Sequence, residues 1–142
     1  QVTKIRPTSV RMHFLRFDIS KTSKQLENGG CENDYSLGYA EKVGFRCGTS
    51  NDYFLYDFEL GRASGLREFP LIAMDVTLFH YLKLTRKDAF NVLCSCFDEV
   101  HRLGGNFVVL WHNNYVNRKA DWYEDVYLNF LDYAKEKLMK KG

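Results

Sequence analysis

Three segments of this sequence carry side chains able to do chemistry at places where a strand would end. GFRCGT (residues 44–49) sets Arg46 beside a glycine turn, IAMDVT (72–77) carries Asp75, and VVLWHN (108–113) closes an apolar run on His112. An arginine positions an anion, a carboxylate orients an imidazole, and an imidazole moves a proton near neutral pH. Each residue also has a plainer account. A short acidic side chain after a strand satisfies backbone donors of a turn, and a histidine there is often a half-buried structural group. Arg46 by itself says little. Among the other histidines, His101 suits the negative end of a helix dipole. His13 reads as a strand-surface or packed residue, and His80 has no partner that spacing identifies.

These groups must be held by strands and helices, and the chain alternates the two. SVRMHFLRFD (9–18) reads as a strand with Val10, Met12 and Phe14 on one face. TSKQLENGG reads as a short helix with Thr22 as its N-cap, Gln25 reaching back, and a stop at Asn28-Gly29-Gly30. CENDYSLGY (31–39) and KVGFRCGTS (42–50) are short strand candidates punctuated by glycine, and residues 51–69 read as a long irregular, aromatic-rich excursion. FPLIAMDVTL (69–78) is apolar on both faces, as a covered parallel strand requires. From Thr85 to Leu103 the spacing predicts a helix capped by Thr85 with Asp88 at its third position. Phe90, Leu93, Phe97 and Val100 line one face, and Gly104-Gly105 end it. A strand over 106–112 follows, then a helix from Asp121 to about Leu138 with a Val126, Phe130, Ala134, Leu138 stripe. This rhythm predicts an α/β domain with parallel strands, whose sites gather at the strands' carboxyl ends.

Composition narrows the class. A chain of 142 residues, 45% hydrophobic and 15% aromatic, suffices for a single domain with a real core. A net charge of +2 and a pI near 8.3 are too balanced for a nucleic-acid footprint. Lys135, Lys137, Lys140 and Lys141 suit a solvated helix end. No run is long enough to predict a membrane span, and no targeting segment opens the chain, which leaves the compartment unassigned. Cys31, Cys47, Cys94 and Cys96 form no CxxC and no pairing framework. They read as small, largely buried apolar groups, with metal ligation and redox work as the other readings.

The run DYSLGYAEKVGFRCGT, YDFE, MDVTL and GGNFVVLWHN, in that order, resembles the C-terminal half of the polysaccharide deacetylases of the NodB-homology type (carbohydrate esterase family 4-like), closest to a bacterial branch. The likeness spans roughly residues 8–134. It implies part of a (β/α) barrel and a hydrolase that removes N-acetyl groups from glycans with a divalent metal such as zinc. It also implies His112 as the catalytic acid, Asp75 as the carboxylate that tunes it, and Arg46 as the arginine that holds the base. Trp111, Asn113 and Tyr53 are expected to face the glycan. The family's early acidic pair and His-x-x-x-His do not occur here, and GFRCGT lacks the family's proline-rich form of the arginine motif. A sequence that starts at Gln1 without those motifs is therefore expected to be incomplete: inactive alone and without a metal of its own. Half a barrel with open edges is expected to form a homodimer.

A second function class is a catalytically inactive carbohydrate-binding or interaction module on the same scaffold. Tyr53, Phe54, Tyr56 and Phe58 would then stack on sugars, although core beneath a long loop explains them as well. An unrelated small-molecule-binding α/β domain is a third.

Overall fold

The computed structural model describes residues 6–116 and 122–140. It is a mixed α/β structure built on parallel strand pairs. β1 (Ser9–Val10), β2 (Asn33–Asp34) and β4 (Arg62–Glu68) lie parallel, and β3 (Tyr53–Asp57) pairs antiparallel with β4. β5 (Leu71–Met74) and β6 (Val108–Leu110) form a second parallel pair. The two sheets meet at the Glu68–Leu71 corner. There Phe69 donates its amide to Asp34 and Leu71 donates to Leu37, carrying the hydrogen bonding from one sheet to the next. No closed barrel forms among these residues: β1 and β6 each pair on one side only.

Helices α1 (Thr22–Asn28) and α2 (Arg86–Leu103) cross between parallel neighbours, and α3 (Tyr123–Met139) packs on α2. α2 follows its sequence closely. Thr85 caps it by accepting from the Asp88 amide, and Gly104 ends it at φ 78°. Leu93, Phe97 and Val100 are buried, joined by Ala73, Leu78, Val126 and Phe130 in the main core. A smaller cluster of Leu37, Leu55 and Leu66 lies under the hairpin.

Five expectations change. The strand expected over 9–18 stops at Val10, because the chain turns at His13–Leu15, where Phe14 and Leu15 have φ of 59° and 53°. Thr22 opens α1 as a helical residue rather than capping it; Asp18 holds the entry by accepting from the Ser20 and Lys21 amides. The segment 42–50 contains no strand. Gly44 and Gly48 take φ of 116° and 70°, which breaks an extended run. Residues 51–69 are a hairpin rather than an irregular loop, its tip tied by Asp57 accepting from the Glu59 and Leu60 amides. The start of the last helix at Asp121 lies outside the described residues. Leu138 is exposed, so the buried stripe of α3 ends short of it.

Candidate functional site

β5 is buried on both faces, and the backbone turns directly into a helical segment after Met74. That bend places Asp75 at the carboxyl end of β5, fully buried. β6 runs parallel beside it with Met74 opposite Leu110, so His112 arrives at the same level. The His112 Nδ1 lies 2.7 Å from Asp75 Oδ1, and the His112 backbone amide donates to Asp75 Oδ2. The Val76 amide donates to Oδ1 at 2.6 Å. Two backbone amides already donate to Asp75, so its carboxylate accepts from the ring in the tautomer that carries the hydrogen on Nδ1, leaving Nε2 to take up or release a proton. The imidazole side chain remains 40% exposed while its carboxylate partner is 0% exposed, which is the arrangement of an oriented proton carrier.

His112 lines a cavity of about 560 Å³ at the carboxyl ends of β1, β5 and β6. Its walls mix apolar side chains (Met12, Met74, Leu110) with Arg11 and His13. Burial lowers the pKa of Arg11, opposed by the negative charge around Asp34, and its Nε donates to the Tyr35 carbonyl at 3.0 Å.

Of the residues expected at a site, the structure brings Asp75 and His112 together. Arg46 is exposed, donates to the Gly38 carbonyl at 2.9 Å and does not line the cavity; Arg11 does. Trp111 alternates away from Leu110 and His112, stacking on Tyr127 at 4.9 Å and meeting Phe79 edge-on. Successive strand residues face opposite sides, so Trp111 and His112 do not share one wall. Asn113 is exposed and opens the short turn Asn113–Tyr115. Tyr53 sits in the hairpin against the smaller core, where burial and a hydrogen bond to Cys47 raise its pKa. The other three hairpin aromatics are not core. Phe54 and Tyr56 are half exposed and Phe58 more so.

Beneath the cavity lies a pair that sequence reasoning missed. Asp34 and Glu68 are register partners on β2 and β4, and both are completely buried. Ser36 donates its hydroxyl to Asp34 Oδ1 at 2.7 Å and accepts from the Met12 amide at 2.8 Å, linking the pair to the cavity wall. Glu68 Oε1 accepts from the Leu37 amide, whereas Oε2 is buried with no donor. Burial, then the adjacent Asp34 carboxyl, pushes the Glu68 pKa up to about 9. Glu68 therefore keeps its proton beside the Asp34 carboxyl at neutral pH. The signal available in sequence was slight: ENDYS and REFPL look like turn and strand-end text, and only pairing opposes their acids.

The described residues hold no group of three His, Cys, Asp or Glu able to share a metal, fewer than a catalytic ion needs, and no step below runs through one. No helix among them is long and apolar enough to cross a membrane. No family model, curated protein or solved structure matches the chain.

Proposed function

We propose that this chain is the late half of a polysaccharide deacetylase-like domain of the (β/α)-barrel type, acting on N-acetylated glycans as part of a longer protein. The buried Asp75 holding His112 Nδ1 at the edge of the cavity carries the reading. In amide hydrolysis, water adds to the acetyl carbon and the C–N bond breaks. The departing amine needs a proton, which His112 Nε2 is set to deliver while Asp75 keeps the ring oriented and stabilises its charge. The base that takes the proton from water, and the metal ligands, would come from the motifs this sequence lacks. By the same reading the chain alone releases no acetate.

The test uses the full-length parent and an N-acetylated glucosamine oligomer. His112→Ala is expected to lower acetate release by roughly 10²–10⁴, as loss of a general acid does, with the fold retained. An equal loss from His101→Ala, on the far end of α2, would overturn the assignment. So would steady acetate release from the isolated chain after dialysis against zinc. The alternative of an inactive carbohydrate-binding module draws on one observation, the exposure of Phe54, Tyr56 and Phe58 on the hairpin. It predicts that the parent binds the oligomer without releasing acetate.

A further inference from the structure

The turn after β1 is built against two local preferences. Phe14 and Leu15 both hold positive φ, 59° and 53°, in a region that non-glycine residues enter at a cost. The turn also leaves the Phe14 side chain exposed, at 75%, although burial of so large an apolar group favours folding. Successive strained residues persist only where the surrounding structure over-determines them, and they concentrate at binding sites. Here the surroundings are specific. The Met12 amide is tied to Ser36, and the Leu15 amide closes back on the Met12 carbonyl at 3.0 Å. The His13 ring stacks beside Phe14 with centroids 4.1 Å apart and planes within 28°. The guanidinium carbon of Arg16 lies 5.6 Å from the Phe14 centroid. Phe14 is therefore a backed, oriented ring, and it lines the same cavity as His112.

We propose that the His13–Leu15 turn is a sugar-ring platform, on which Phe14 stacks against the C–H face of a pyranose whose acetamide reaches His112. The proposal rests on the glycan reading above and assigns a substrate-positioning residue within it. A cavity of about 560 Å³ with apolar walls and a few polar groups is within the ordinary range for a small-ligand site. A pyranose matches that mixture, with an apolar face for Phe14 and hydroxyls for Arg11. A peptide or a second copy of the chain would instead need an extended apolar surface, and among the described residues the exposed aromatics lining this cavity are two rings, Phe14 and Tyr81.

The experiment is an NMR titration of the chain with two pentasaccharides, the N-acetylglucosamine β-1,4 oligomer and its glucose counterpart. Stacking does not need the acetamide, so Phe14→Ala is expected to weaken both by roughly 3–10-fold, the worth of one aromatic contact. Phe14→Trp, which restores a face, is expected to bind at least as well as the native protein. If Phe14→Ala binds both oligomers unchanged while the His112 imidazole signals still shift, the platform is overturned and the glycan reading stands. If neither oligomer shifts native His112, the glycan reading falls and the platform with it. Equal weakening of two oligomers that bind native protein equally supports the platform but removes the acetamide from the reading. Loss of self-association in Phe14→Ala, with oligomer binding intact, would make the ring an interface and overturn the proposal.

Discussion

Replacing Glu68 by glutamine tests the buried carboxyl pair directly. In the native fold the Glu68 pKa is raised from its ordinary 4.5 to about 9, so the folded protein keeps a proton that the unfolded chain releases once pH passes 4.5. Stability from this group is complete below that point. It falls as pH rises through the interval and levels off above the folded value. The slope is at most ~1.4 kcal/mol per pH unit for one proton of difference. A glutamine side chain has nearly the same shape, can accept from the Leu37 amide as Glu68 Oε1 does, and can donate permanently toward Asp34. The variant therefore lacks the slope. Urea denaturation of both proteins near pH 6 and pH 8 gives two stability differences. The native protein is expected to lose up to ~2.7 kcal/mol more than the variant between them, two units of that maximal slope. Taking the difference cancels the titration of cysteines and histidines common to both. Parallel stability profiles would refute the proton held on Glu68, as would a native protein that gains stability relative to the variant as pH rises.

Asp75→Ala removes the acceptor of the His112 amide, the Val76 amide and His112 Nδ1 together. Chemical denaturation is expected to show a loss of about 2 kcal/mol or more, since the two backbone amides lose their acceptor and each stranded donor costs roughly 1–3; an unchanged midpoint would mean the cluster is not formed in solution. Gly38→Ala would place a Cβ 2.7 Å from the Leu71 Cβ, beside a buried strand, and is expected to cost about 1–3 kcal/mol by overpacking, read from the shift in thermal midpoint. Among the described residues β1, β3 and β6 each pair on one side only, which leaves open strand edges. Light scattering at about micromolar concentration is expected to report a dimer, and a clean monomer would count against the half-barrel reading.

Local chemistry determined much of what was legible beforehand. α2 could be placed from Thr85 to Gly104 because its cap, apolar stripe and stop are all written within one segment. The β5–turn and β6 segments announced Asp75 and His112 in the same way, as polar groups at the ends of apolar runs. Other features depended on neighbours distant in the chain. The strand expected over 9–18 ends early where the chain turns at His13–Leu15, with the Met12 amide held by Ser36, 24 residues away. The hairpin over Tyr53–Glu68 read as loose because its faces are unequally covered: Leu55 and Leu66 are buried while Phe54 and Tyr56 stay open, so hydrophobicity alone does not mark the pleat. The arginine at the cavity likewise depended on the fold: the expectation fell on Arg46, and Arg11 lines the cavity. Arg46 sits within the recognisable motif yet binds the Gly38 carbonyl, while Arg11 reaches the cavity because β1 ends there. Nor could Asp34 and Glu68 be paired without the parallel register that sets them opposite each other. A period or a cap is a property of a few consecutive residues, so sequence carries it. A carboxyl that keeps its proton or a cavity wall is a property of strands brought side by side, and the cost of burying Asp34 and Glu68 exists only once the fold has excluded water around them.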